Sequence, residues 1–420
     1  MTNDISKYTK AKLFSEVGKR TDVFARISSV GGERGSADTE RDAHGFAVRF
    51  YTEEGNWDMV GNNTPMFFIK DAIKFPDMVH VHKRDPRTNL KSAAMLWDFN
   101  SRTPETLHKV TMVFSSRGTP DGYRHLDGFG IHTFSLINAA GERVWVKWHF
   151  KTKQGTKNLS AEEAERIAGA DPDYAQRDMV NAIDRGQFPK WDVSIQVLTE
   201  ADRVAWEKRT GWDAFNPTYV WPFKDAPRIP VGVLELNRIP DNYHAEVEQA
   251  AFSPANIVPG MGFSPDKLLQ GRVFAYHDTQ LYRVGTNHQH LPVNRARCPI
   301  FNQQRDGSMT ILDPGAAANY APVDSAGTRP VGLGHGEPGL PLEGAAGRYD
   351  SRGSDDYYTQ AGYLFRLLPA DEKQNLFKNI AKSLSGAPHE TQERQLGHFD
   401  RADPAYGAGV RAALAKVAKQ

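Results

Sequence analysis

In the stretch GRVFAYHDTQLYR, Gly271 to Arg283, a tyrosine stands between two arginines: Tyr276 follows Arg272 by four residues and Arg283 follows it by eleven. At about 100° per residue both intervals return close to the starting direction, so one helical face can present all three side chains. A phenol, with an ordinary pKa of about 10, ligates ferric iron only as the phenolate, and a guanidinium one turn away favours loss of the proton. Arg283, farther along the same face, has the fork geometry to grip a carboxylate such as a haem propionate. An amphipathic helix with a half-buried tyrosine and solvated arginines fits the same spacing, which leaves both readings open.

The run VGNNTPMFFIKDAIKF places Asn62 and Asn63 just before Pro65, with Phe67, Phe68 and Phe75 following. Neutral amide donors beside aromatic rings suit a dry pocket for a flat apolar ligand with one polar centre. A strand entering the core after an Asn-rich turn suits the run as well. Other motifs carry less chemistry. GLGHGEPG, Gly332 to Gly339, lacks the preceding strand and following helix that a dinucleotide loop needs, and reads as a loop. His80 and His82 read as two histidines on a strand, with no third metal ligand in register. No G-x-S-x-G elbow is present to support acyl transfer.

The elements that must hold these residues belong to a chain of 420 residues, long enough for one large domain with appendages or for two to three domains. Its 52 Lys and Arg balance 51 Asp and Glu without blocks of like charge, which favours a small-molecule substrate over nucleic acid or membrane. The single cysteine, Cys298, excludes an intrachain disulfide framework and a multi-cysteine zinc site. No apolar run approaches the roughly 20 residues of a membrane span, and no signal-peptide core opens the chain, so a soluble cytoplasmic protein is expected.

Between about Ala11 and Val233 short apolar or alternating runs recur: DVFARISSV, GFAVRFY, MFFI, KVTMVFSS, GIHTFSLI and RVWVKWHFK. Their spacing predicts an antiparallel barrel or sandwich. SAEEAERIAG, with Ser160 as N-cap, and YAQRDMVNAIDRGQ predict helices inserted between strands. Residues 234–348 thin into Pro- and Gly-bearing extended chain, and helical patterning returns in QAGYLFRLLPADEKQNLFKNIAKSL and GAGVRAALAKVAKQ. The resulting α+β division is a β core over residues 1–233, a wrapping segment over 234–348 and a helical domain over 349–420.

Longer segments then carry a resemblance. FARISSVGGERGSADTERDAHGFAVRFYTEEGNWDMVGNNTPMFFIKDAIKFPD, HKRDPRTN, GFGIHTFSLINAAGERVWVKWHFKTKQGTKNL, AEVEQAAFSPANIVPGMGFSPDKLLQGRVFAY and VNRARCP resemble the haem catalases of the small-subunit class, over nearly the whole chain. The resemblance implies dismutation of hydrogen peroxide to water and dioxygen. It also implies the catalase fold, with an eight-stranded antiparallel β-barrel, a wrapping segment and C-terminal helices, and a homotetramer with one haem b per subunit. Tyrosine is the known axial ligand of catalase haem, which makes Tyr276 the iron ligand and Arg272 its partner. His132 would hydrogen-bond near that arginine, Arg26 and Arg283 would meet the propionates, and Phe75 would stack on the porphyrin. Phe67 and Phe68 would wall the distal side. Asn62 would donate to bound peroxide, with Ser28 in the same hydrogen-bond network. Some members bind NADPH at a surface groove, and His108, Ser115, Arg117 and Lys151 match the positions that hold it. Asp127 and Phe223 depart from that pattern, replacing a neutral amide and a frequent histidine.

The same resemblance implies a neutral distal histidine that carries a proton from one peroxide oxygen to the other. In the family it lies upstream of the segment similar to KYTKAKLF, whereas the first histidine here is His44. The expectation is that the N-terminal segment bearing this histidine, a further arginine and a subunit-threading arm precedes residue 1. A valine usually stands where Met1 does, so a GTG codon within a longer gene is the expected origin of the start, and a periplasmic address upstream is the alternative to the cytoplasm. Without the histidine, turnover by the 420-residue chain is expected to fall about 10² to 10⁴-fold. The alternatives are a haem-binding or NADPH-binding protein without peroxide turnover, and a haem enzyme acting on organic hydroperoxides.

Overall fold

Alternating apolar residues build a curled antiparallel sheet. Its strands are β1 (Val23–Ser29), β2 (His44–Thr52), β3 (Gly55–Asn62), β4 (Gly128–Phe129), β5 (Phe134–Ile137), β6 (Arg143–Thr152), β7 (Lys190–Leu198), β8 (Ile229–Glu235) and β9 (Met261–Gly262). The computed structural model describes residues 1–298, 308–309, 313, 337–341, 344 and 355–417. Most of the GLGHGEPG motif, Gly332 to Gly336, lies outside the described residues.

The strand pairing follows β1-β2-β3-β4-β6-β7-β8, with β5 also paired to β6 and β9 paired to β5. Because side chains alternate, Phe46, Val48, Trp57, Met59, Val146, Trp148, Phe150, Val193 and Ile195 share the concave face and form the main core. Among the described residues this makes nine strands rather than eight, two of them two residues long. β1 pairs only with β2 and β8 only with β7. A cleft of about 1350 Å³, lined by Val23 to Ile27 on one side and Val231 to Leu236 on the other, lies between those edges.

The helices are α1 (Phe75–Val81), α2 (Ala93–Arg102), α3 (Leu107–Phe114), α4 (Ala161–Ala170), α5 (Tyr174–Asp184), α6 (Glu200–Thr210), α7 (Lys267–Arg283), α8 (Thr359–Leu367), α9 (Ala370–Leu384), α10 (His389–Ala402) and α11 (Pro404–Val417). Ser160 caps α4 by accepting from the Glu163 amide, as expected. Leu107, Val110 and Phe114 of α3 join Trp97 of α2 and the apolar faces of α8 to α11 in a second core.

Three short runs differ from the sequence expectation. KVTMVFSS is helical over its first six residues, within α3, because its buried stripe at Leu107, Val110 and Phe114 follows a helical period beneath a β-branched composition. MFFI forms no strand: Met66, Phe68 and Ile69 are buried in irregular chain that follows Pro65. His80 lies in α1 and His82 caps it, with His82 Nδ1 2.7 Å from the Met78 carbonyl. Pro76 in the first turn starts that helix. Among the described residues no group of three or more His, Cys, Asp or Glu is placed to hold a metal ion.

Two glycines bring the site elements together. A Cβ on Gly61 would lie 1.7 Å from the Phe129 carbonyl, so only glycine lets β3 approach β4 beside Asn62. A Cβ on Gly271 would lie 2.4 Å from the Ala72 Cβ, so its absence lets α7 close on the turn that leads into Phe75.

Candidate active site

The helix read from GRVFAYHDTQLYR exists as the C-terminal part of α7. Asp266 starts it, its carboxylate accepting from the Leu268 and Leu269 amides at 2.9 and 3.1 Å. Arg272 Nη2 donates to Tyr276 Oη at 2.8 Å, with the guanidinium carbon 4.9 Å from the ring centroid. Both Arg272 Nη atoms also lie 3.3 Å from the Val60 carbonyl, which docks the helix on β3 two residues before Asn62. Tyr276 packs against Ala47, Val60, Ala250, Phe252 and Val293.

Arg26 and Arg283 converge from different elements. Arg26 Nη1 donates to the Ala250 carbonyl at 3.1 Å, and Arg283 Nη2 donates to the same oxygen at 2.6 Å. Among the described residues neither forms an ion pair with a carboxylate. Burial and then the nearby Arg283 charge pull the Arg26 guanidinium down to about 10. Two adjacent cations without a carboxylate fit an anionic ligand with two acidic groups.

On the sheet face shared with Arg26, the register places Ser28, Gly45 and Asn62 in one row and Arg26, Ala47 and Val60 in the next. Glycine at the centre of the first row leaves room for the Ser28 hydroxyl, which a Cβ on Gly45 would approach to 2.6 Å. Asn62 Nδ2 donates to the Gly61 carbonyl at 3.0 Å, and Lys109 Nζ lies 3.4 Å from Asn62 Oδ1. Phe67 stacks on Phe75 with centroids 6.5 Å apart and meets Phe68 edge-on at 5.7 Å. His44 stands one residue from Gly45 on β2, so its side chain projects to the opposite face, where it meets Tyr123.

His132 pairs with Asp266, the cap of the helix that carries Arg272. Its Nδ1 lies 2.6 Å from Asp266 Oδ2, and both side chains are buried. The preceding Ile131 holds a left-handed φ of 65°, unusual for a β-branched residue, and its carbonyl accepts from the buried Lys147 Nζ at 2.8 Å. His132 thus steadies the start of the helix carrying Tyr276. Asp266 and Lys109 are site residues absent from the sequence expectation. The Pro-Asp before LLQGR was a legible cap signal, and a lysine inside the apolar stripe of LHKVTMVF was a legible anomaly.

The four surface-groove positions do not present free cations. Asp127 Oδ2 accepts from Lys151 Nζ at 2.8 Å and lies 3.4 Å from Arg117 Nη1. His108 is buried with Nδ1 3.1 Å from the Thr218 carbonyl, and Ser115 Oγ donates to the Met112 carbonyl at 2.6 Å. Phe223, 54% exposed, stands edge-on to His149.

A phenol held by a guanidinium, beside a polar row on a curled antiparallel sheet, makes this face the candidate active site. Similarity to known proteins fixes the class. A family profile described as Catalase matches residues 1–327, and one described as Catalase-related immune-responsive matches residues 351–414. The chain is 58% identical over 414 residues to Catalase A of Pseudomonas putida, covering 99% of this chain and 86% of that protein. It is 59% identical over 415 residues to a catalase of the Onchocerca volvulus endobacterium, covering 99% of this chain and 85% of that one. Among solved structures, a bacterial catalase superposes with a TM-score of 0.91 at 43% identity, covering 99% of this chain and 84% of that one. Catalase A from Saccharomyces cerevisiae superposes with a TM-score of 0.91 at 41% identity, covering 98% and 86%. The chain belongs to the catalase family, and its reaction is the dismutation of hydrogen peroxide.

Proposed function

We propose that peroxide dismutation takes place at a haem b held between α7 and the β1 to β3 face, with Tyr276 as the iron ligand. The observation that carries this reading is the Arg272 to Tyr276 hydrogen bond, together with two guanidiniums that have no carboxylate partner among the described residues. When bound, the haem supplies the redox centre at which the peroxide O–O bond breaks and a second peroxide is oxidised to dioxygen. Arg272 places positive charge on the phenol oxygen, which favours the anionic ligand. Arg26 and Arg283 would hold the two propionates, and Phe75 would pack against the porphyrin. Asn62 orients peroxide through Nδ2, Ser28 extends the polar row, and Phe67 and Phe68 keep that side dry.

NADPH fits poorly, since Asp127 already neutralises Arg117 and Lys151 and repels a phosphate. Assembly as a homotetramer is supported by Phe274 and Tyr282 on α7, which are 77% and 82% exposed. Among the described residues no helix is long and apolar enough to cross a membrane, and a cytoplasmic location is proposed over a periplasmic one.

The test is an absorption spectrum of the haem-loaded protein with oxygen evolution in parallel. A ferric haem spectrum that Tyr276→Phe abolishes, together with loss of oxygen release, is expected. An unchanged spectrum in Tyr276→Phe overturns the assignment.

A further inference from the structure

Lys109 is a lysine with no exposed surface, on the helix that packs behind the polar row. Its Nζ donates to Thr64 Oγ1, lies 3.4 Å from Asn62 Oδ1, and sits 5.2 Å from the centre of the Phe68 ring. Among the described residues it forms no ion pair with a carboxylate. A buried cation is costly, and a well-packed apolar residue would serve stability better at this place. These three contacts of the ammonium all go to the segment from Asn62 to Phe68, which holds the proposed peroxide donor.

We propose that Lys109 is the positioning residue of the Asn62 amide: by donating to Oδ1 it fixes which way round the carboxamide lies and strengthens Nδ2 as a donor. This inference rests on the reading of Asn62 as the group that holds peroxide. The chemistry follows from the asymmetry of a carboxamide. With a donor fixed on its oxygen, its nitrogen lies on the other side, where one N–H goes to the Gly61 carbonyl at 3.0 Å and the second remains to donate. A protonated amine on that oxygen also draws electron density from the N–H bonds, which improves donation to a peroxide oxygen gaining negative charge.

Burial pulls the Lys109 ammonium down to about 7, opposed by the charge of Asp42, so its charge changes near neutrality. The titratable groups around it are Asp42 ahead of β2, His82 at the end of α1 and His108 on its own helix, the two histidines being held neutral by burial. Just before α3 Glu105 is paired with Lys74, and just after it Ser116 donates to Glu372 on α9.

The experiment compares Lys109→Met, Lys109→Gln and Asn62→Leu in the full haem-loaded chain. The second-order rate constant for peroxide is followed between pH 5 and 9, and azide affinity of the ferric haem reports the distal donor without turnover. Lys109→Met is expected to lower the rate about tenfold and to weaken azide. Lys109→Gln, which keeps a donor but not the charge, is expected to recover most of the rate and to lose the decline that the unsubstituted chain shows as pH rises through neutrality. A Lys109→Gln profile identical to that of the unsubstituted chain, with Lys109→Met within twofold of both, overturns the proposal while Asn62→Leu remains impaired. If Asn62→Leu itself leaves rate and azide affinity unchanged, the reading of Asn62 fails and the proposal with it. Should Lys109→Met not fold, the pH profile of Lys109→Gln decides alone.

Discussion

Arg272 Nη2 sits 2.8 Å from Tyr276 Oη, one helical turn away, and the same guanidinium reaches the Val60 carbonyl at 3.3 Å. The helix that offers the phenol is therefore tied to the strand that offers Asn62. Replacing Arg272 by Gln keeps a neutral donor and removes the charge. Hydrogen bonds to charged groups contribute about 1.5 to 3 kcal/mol, so haem affinity is expected to fall about 10- to 100-fold while the melting temperature changes little. Titration of the apoprotein with haemin checks this.

Arg49 and Asp58 form a buried fork across β2 and β3, Nε to Oδ1 at 2.7 Å and Nη2 to Oδ2 at 2.6 Å. Arg49 also donates to the Ala251 and Val293 carbonyls, anchoring the chain on either side of α7. Arg49→Met strands a carboxylate whose side chain is fully buried and is expected to cost about 3 to 5 kcal/mol. Denaturant midpoints measure the loss, and adding Asp58→Leu is expected to restore part of it.

The contact at Gly271 gives a rescue experiment. Gly271→Ala forces a methyl to within 2.4 Å of the Ala72 Cβ, pushing α7 away from the turn before Phe75. Overpacking of this kind costs about 1 to 3 kcal/mol. Thermal melts and haem retention are both expected to fall, and Ala72→Gly in the same chain is expected to recover both.

Lys109 also predicts a dependence of stability on pH. Its folded pKa of about 7 lies below the unfolded value of 10.5, so between these the unfolded chain holds one proton more. Stability therefore rises with pH across that window, by about 1.4 kcal/mol per unit for this single group. The difference in unfolding free energy between Lys109→Met and the unsubstituted chain is expected to shrink from pH 7 to pH 10. On the acid side, burial holds His108 and His149 down to about 4, so the fold loses stability as pH falls from 6.5 towards 4.

Asp127 is expected to set cofactor preference at the surface groove. Asp127→Asn removes a carboxylate that lies 2.8 Å from Lys151 and 3.4 Å from Arg117, leaving both cations for a phosphate. NADPH affinity, read from nicotinamide fluorescence, is expected to rise about tenfold or more, as for a new charge-assisted contact.

Much of the site was legible because its signals are local. The four-residue interval from Arg272 to Tyr276 becomes a hydrogen bond within one helix, and β1, β2 and β6 follow alternation that a reader can count. What stayed hidden depends on distant contacts. The α3 helix looked like a strand because Val110, Thr111 and Val113 favour extended chain, and the partners of its apolar stripe lie some 250 residues further on in α8 to α11. The pairing of His132 with Asp266 spans 134 residues, and no local pattern announces it. The resemblance placed His132 near Arg272, and the partner of its ring nitrogen is the cap of the helix that carries that arginine.

The Ala250 carbonyl shared by Arg26 and Arg283 has a practical consequence for anyone preparing this protein. Two guanidiniums leaning on one oxygen are expected to act as a receptor for oxyanions when no other anion is bound. Apoprotein handled in phosphate or sulfate begins haem loading with that receptor contested, and apoprotein in a zwitterionic buffer begins with it open. The choice of buffer becomes a variable in reconstitution, with loading rate falling as oxyanion concentration rises.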